Sequence, residues 1–382
     1  MRTIAMTQPR TLVCGCGAGE QCTLDLVQRS ASRVFFITSP TTRSLTQPIA
    51  AGLKRSGIEV SFFSGIASEP TIGIFEKALH AAREFSPDAI VGLGGGSTLD
   101  VAKLVAAMLS ETRNVREVFG IDQLRGRQTH LVCLPTTSGT GSEVSPNSIL
   151  LDEDAQLKKG VISRWLVPDA TYVDPRLMVS MPAMITAGTG MDALTHCIEA
   201  YANKFAHPVV DIYALSGIRL IREGLIQAIR EPGDLKAREK MAYGSLFGGL
   251  CLGPVNTAAV HALSYPLGGR FHVPHGISNT LLLPHVLEFN LPAAPERYAE
   301  IATALGVTPC AGPMETARTG VAALRTLAHE AGIPMRLSDW NVPESAIEDM
   351  ARSAMEVTRL LKNNPREVRY EDAVGIYRAA FQ

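Results

Sequence analysis

The chain has no CxxC pair, no large net charge, no apolar stretch approaching eighteen residues, no internal repeat and no low-complexity linker. Each absence closes off a class of function. The seven cysteines, Cys14, Cys16, Cys22, Cys133, Cys197, Cys251 and Cys310, are odd in number and scattered, which argues against a disulfide scaffold and for reduced, partly buried thiols. Cys14-x-Cys16 lies in the turn-like CGCGAG with only Cys22 nearby and no histidine, so it is a poor metal clip. A formal charge of -1 provides no field for nucleic acid or an anionic membrane and leaves small-molecule chemistry. With no spanning segment, and no apolar signal core in MRTIAMTQPR, a cytoplasmic location is expected.

What is present is an ordinary globular composition, 46% hydrophobic and 19% charged, over 382 residues, enough for two or three domains with cores of their own. RVFFIT (33 to 38), IEVSFF (58 to 63), DAIVGLG (88 to 94) and THLVCLP (129 to 135) have strand character, with helical periodicity between them. That alternation predicts a parallel α/β sheet over 1–180. NSILLDED and QLKKGVIS add a small antiparallel excursion, and TYVDP closes the half. Beyond Met181-Pro182 long Ala- and Leu-rich segments predict an all-α second domain over 181–382, packed closely against the first around a cleft.

GLGGGSTLDVAK (92 to 103) follows a predicted strand and opens a predicted helix, so Gly94, Gly95 and Gly96 offer bare N–H groups to a pyrophosphate. Ser97 is expected as the helix N-cap, with Asp100 completing a capping-box-like turn. The spacing is not GxGxxG. LPTTSGTGSEVSPN sets six hydroxyls within ten residues, including Thr136 and Thr137, a density that serves either a polar ligand or a turn.

Asp192 and His196 in MDALTHCIEAY stand four apart and share a helix face. His261 and His275 in HALSYPLGGRFHVPHG are fourteen apart with two prolines between, which suits a helix-borne histidine meeting a loop-borne one. One carboxylate with three imidazoles suits Zn(II) or Fe(II) rather than Mg(II) or Ca(II).

Taken together, GGGSTLDVAK, LPTTSGTGSEVS, GMDALTHCIEAY and HALSYPLGGRFHVPHG resemble the iron-containing, or group III, alcohol dehydrogenases, in order from about residue 30 to 290. The resemblance implies an N-terminal Rossmann-like dinucleotide-binding domain and an all-α C-terminal domain, the dehydroquinate synthase-like architecture. It implies reversible hydride transfer between NAD or NADP and a small alcohol or aldehyde, in a homodimer or larger homo-oligomer. The divalent metal, Fe(II) first and Zn(II) second, falls on Asp192, His196, His261 and His275. Cofactor contacts fall on Gly95, Gly96 and Ser97, supported by Asp100, and on Thr136, Thr137 and Lys158, with Lys159 beside Lys158 as an alternative. Two related chemistries compete: reduction of a carboxylated substrate, as in maleylacetate reductases, and a dehydroquinate synthase-like lyase. The first group does not keep this metal set, and the second needs a Lys- and Arg-rich phosphate site not seen here.

The chain departs from the family at three places. Ser39 stands where many members carry the Asp that contacts the adenosine 2′-OH, and Arg43 follows four residues on, either to meet a 2′-phosphate or to face solvent. Glu69 replaces a common Asn. Tyr265 replaces the histidine four after His261, and a phenol with a pKa near ~10 is a poorer proton relay. His272 is the alternative conduit.

Overall fold

The computed structural model describes residues 2–67, 69–154 and 157–382. In chain order the elements are β1 (Thr11–Cys14), α1 (Ala18–Gln28), β2 (Arg33–Thr38), α2 (Gln47–Arg55), β3 (Glu59–Phe63), α3 (Ile72–Phe85), β4 (Ala89–Gly94), α4 (Gly96–Met108), β5 (Gly120–Ile121), β6 (His130–Pro135), β7 (Asn147–Asp152), β8 (Leu157–Ile162) and β9 (Ala170–Val173). Helices follow alone: α5 (Ala183–Tyr201), α6 (Pro208–Arg230), α7 (Leu235–Leu252), α8 (Ala259–Phe271), α9 (His275–Asn290), α10 (Pro295–Ala304), α11 (Pro313–Glu330), α12 (Ile347–Met355), α13 (Thr358–Leu361) and α14 (Tyr370–Phe381). Two compact units result. One holds residues 6–137 and 141–180; the other holds 181–382 with Ser138–Thr140 and the N-terminal residues up to Ala5.

In the first unit six parallel strands run β1-β9-β6-β4-β2-β3. Their near-continuous apolar runs follow from burial on both faces. In β2, Phe35 and Ile37 face α3 and α4, whereas Val34 and Phe36 face α1 and α2. The strand order reverses between β2 and β4, where Thr38 pairs with Leu93. Doubly wound sheets bind ligands outside the carboxyl ends of strands at such a point. Both Gly94-Gly95 and Ser39 lie there. The antiparallel pair β7 and β8 forms with β5 a second, three-stranded sheet. β1, in a segment whose glycines read as turn, pairs with β9 at the sheet edge.

In the second unit α5 is the central helix, packed by α6, α7 and α9. It is buried almost all round, so Asp192 on it has no route to solvent along the helix surface. No helix among the described residues is long and apolar enough to cross a membrane.

Close backbone approach sets how α9 meets α5. A Cβ on Gly276 would lie 2.1 Å from the Gly188 carbonyl oxygen and 3.1 Å from the Asp192 Cβ, so a side chain there forces the helices apart. Gly276→Ala is therefore expected to lower the free energy of unfolding by about 1–3 kcal/mol in a urea titration. Gly375→Ala, on exposed α14 surface with nothing within 4 Å of the added methyl, is expected to raise it by up to about 1 kcal/mol. Equal effects at both sites would contradict this account of the α5–α9 contact.

Candidate metal centre and cofactor loop

Three helices bring the quartet together. α5 carries Asp192 and His196 one turn apart, α8 carries His261 in its first turn, and His275 is the first residue of α9 rather than part of the preceding loop. The loop-borne placement expected for His275 is thus corrected: Pro274 caps the helix from outside, and the helix begins at the histidine. Asp192 Oδ1 lies 3.9 Å from His196 Nε2, 3.6 Å from His261 Nε2 and 3.7 Å from His275 Nε2. Donor atoms of Asp192, His261 and His275 fall within 4.8 Å of one another. His196 joins them by stacking on His261, ring centroids 4.7 Å apart. A tetrahedral cation with ligand bonds of 2.0–2.2 Å needs donor separations of about 3.4 Å. The observed spacing and the N3O donor chemistry fit a divalent transition metal.

The electrostatics of the group follow from its burial and from the charges its members turn on one another. Burial opposes ionisation of Asp192, but His196, His275 and His261 together hold its carboxyl far below the ordinary range. Burial pushes His196 down to about 4, leaving a neutral ring with a free lone pair. Burial also disfavours charge on His261, yet Glu199 and Asp192 overcome it and push that imidazole up to about 10. Three of the four side chains are buried; His275 remains about one-third exposed and marks the open side.

Two residues of this centre were not singled out from the sequence. Glu199 Oε2 lies 2.5 Å from His261 Nδ1, and its other oxygen accepts from the Val260 N–H at 2.6 Å. Such a carboxylate fixes the ring's tautomer and turns Nε2 toward a metal. The signal was available, since 192, 196 and 199 repeat at the four-three spacing of one helix face. Asn279, one turn after His275, donates from Nδ2 to Asp192 Oδ1 at 2.7 Å.

Tyr265 stands near the centre, its ring centroid 6.3 Å from that of His275 and its hydroxyl accepting from Arg359 at 3.1 Å. His272 is exposed in a left-handed conformation at the end of α8, and no described contact joins it to the quartet.

In the first unit, Gly94 ends β4 and Gly96 opens α4. Ser97 is not the N-cap. Gly95 is, with φ −76° and ψ −178° and no side-chain cap, so Ser97 is the second helical residue. Asp100 does not complete a capping box either: its carboxylate accepts from Ser142 Oγ at 2.5 Å and the Ile149 N–H at 2.9 Å, tying the loop's helix to β7. The backbone stays bare at Gly95, where a Cβ would stand 3.2 Å from Thr137 Cγ2. Thr136 donates its N–H to the Gly94 carbonyl at 2.9 Å, so both threonines flank the loop. Ser39 Oγ bonds the hydroxyls of Thr41 and Thr42. Arg43 is not simply solvent-facing: its guanidinium stacks 3.5 Å over the Phe62 ring and donates to Thr46. Lys158 is ion-paired with Glu69, and Lys159 with Asp152 at 2.7 Å.

Residues 9–175 match the iron-containing alcohol dehydrogenase family, and 186–381 match the C-terminal part of the Fe-containing alcohol dehydrogenase family. The chain belongs to the iron-containing alcohol dehydrogenases. It is 37% identical over 373 residues to long-chain-alcohol dehydrogenase 1 of Geobacillus thermodenitrificans, covering 96% of this chain and 94% of that one. It is 37% identical over 330 residues to 1,3-propanediol dehydrogenase of Klebsiella pneumoniae, covering 86% and 85%. A crystal structure of 1,3-propanediol oxidoreductase superposes with a TM-score of 0.96 at 33% identity over 100% of both chains. The protein is accordingly an oxidoreductase acting on CH–OH groups, with the α/β and all-α pairing of this family.

Because Glu199 is buried with both oxygens engaged, Glu199→Ala is expected to lower unfolding stability by about 3 kcal/mol, as for other broken buried pairs. Glu288→Ala, which removes an exposed partner of Arg325, is expected to change it by less than about 1 kcal/mol. Urea titrations of the two variants check this, and a Glu199 variant as stable as the wild type would contradict it.

Proposed function

We propose that the chain is a metal-dependent NAD(P) alcohol dehydrogenase and aldehyde reductase whose cation is held by Asp192, His196, His261 and His275. The convergence of one carboxylate oxygen with three Nε2 atoms carries this reading. When bound, the cation, Fe(II) or Zn(II), supplies Lewis acidity toward an alcohol or aldehyde oxygen, and the nicotinamide supplies or accepts the hydride.

The chain's own residues do the rest. Asp192 contributes the negative charge, and the neutral ring of His196 contributes a lone pair without a proton to displace. Glu199 orients His261. His275, on the open side, is where a substrate oxygen approaches. Of the two relay candidates, Tyr265 is the one beside His275, and its hydroxyl already accepts from the Arg359 cation. The dinucleotide pyrophosphate is assigned to the first turn of α4 at Gly95, Gly96 and Ser97, flanked by Gly94, Thr136 and Thr137 and braced by Asp100. Lys158 is assigned to the nicotinamide ribose, its charge shared with Glu69.

At the adenosine end, Ser39 brings no carboxylate to repel a 2′-phosphate, and the Arg43 guanidinium is held over Phe62. The reading therefore includes acceptance of NADP. It also includes a cytoplasmic homodimer or larger homo-oligomer, supported by the family resemblance alone.

His261→Ala is expected to lose bound metal and turnover together, measured by elemental analysis and an alcohol and aldehyde panel; full activity in a metal-free variant would refute the reading. Ser39→Asp is expected to cut kcat/KM with NADP by roughly tenfold or more through like-charge repulsion while sparing NAD. A wild type that strongly prefers NAD would contradict the adenosine-end assignment.

A further inference from the structure

We propose that Asn279 is a positioning residue of the metal centre, whose amide pins the Asp192 carboxylate so that Oδ1 stays converged with the histidine nitrogens. The inference rests on reading Asp192, His196, His261 and His275 as a metal set.

Asn279 leaves α9 one turn after His275 and is completely buried. Its Nδ2 donates to Asp192 Oδ1 at 2.7 Å and lies 3.1 Å from His261 Nε2 and 3.4 Å from His275 Nε2. One side chain thus reaches donor atoms borne by α5, α8 and α9. An amide nitrogen has two hydrogens, so it cannot serve all three neighbours at once; the bond to the ionised carboxylate is the shortest and the charge-assisted one.

The other end of the amide is the second observation. Asn279 Oδ1 is buried with no hydrogen-bond partner among the described residues. A buried amide that served only to fill space would leave two polar ends to satisfy, and an apolar side chain would fill the same place without that desolvation cost. Only the end aimed at Asp192 is used. The carboxylate needs it, because the terminal torsion of an aspartate is broad, so without a donor the carboxylate plane can swing away from the histidines. Outer partners that fix a ligand's orientation in this way are worth 10–100-fold in metal affinity.

The test uses the full chain with Asn279→Ala and Asn279→Leu, the second to keep the branched side-chain shape if the first is poorly folded. Zn(II) affinity is measured by competition with a chromogenic chelator, and the Co(II) d–d absorption reports the geometry of the donor atoms. Both variants are expected to bind Zn(II) about 10–100-fold more weakly and to shift the Co(II) bands. Unchanged affinity and bands in a folded variant overturn the proposal. Tighter binding overturns it too, since the amide would then compete with the cation. If the wild type binds neither cation through Asp192, judged against Asp192→Ala, the metal reading itself fails and takes this proposal with it. If the wild type binds and the variants bind equally well, only the role of Asn279 falls.

Discussion

Burying the Asp192 carboxylate inside a helical core is the constraint on which the rest of the structure depends. An isolated ionised carboxyl in such a place is strongly disfavoured, and it is tolerated only with opposite charge and hydrogen-bond donors around it. Here the compensation comes from three imidazoles and the Asn279 amide, delivered by α5, α8 and α9. Glu199 adds a second buried carboxylate behind His261. Asp192, Glu199 and the three imidazoles thus form one buried polar cluster in the helical core.

That compensation requires helices closer than ordinary side chains permit. Gly276 on α9 lies against the Gly188 backbone on α5, and the same contact carries His275 toward Asp192. In the other unit a comparable economy of side chains operates at the end of β4, where Gly94 and Gly95 crowd Thr98 and Thr137. The sheet's reversal between β2 and β4 places that bare backbone beside Ser39, so phosphate and adenosine determinants share one edge of the fold.

Much of this was legible in the residues. Period-two and period-three-to-four patterning located the strands and helices of the parallel sheet, because strands buried on both faces leave an unmistakable apolar run, as RVFFIT does. The quartet was legible because metal ligands need particular atoms at particular spacings. What escaped were features whose cause lies in distant contacts. β1 is short and largely exposed, and it is a strand only because β9 lies beside it. Ser97 looked like a cap, but the choice fell to Gly95, and Ser142 and Ile149 drew Asp100 elsewhere. Glu199 and Asn279 carried helical-spacing signals of their own, yet their partners come from other helices, which spacing along one helix does not reveal.

The central claim is that these four side chains converge on one divalent cation. Anomalous diffraction from crystals of the full chain grown with Zn(II), collected on both sides of the zinc edge, tests it most directly. The account predicts a single strong peak bounded by Asp192 Oδ1 and the Nε2 atoms of His196, His261 and His275. No peak there in a crystal that holds zinc elsewhere, or a peak that excludes Asp192, would contradict it.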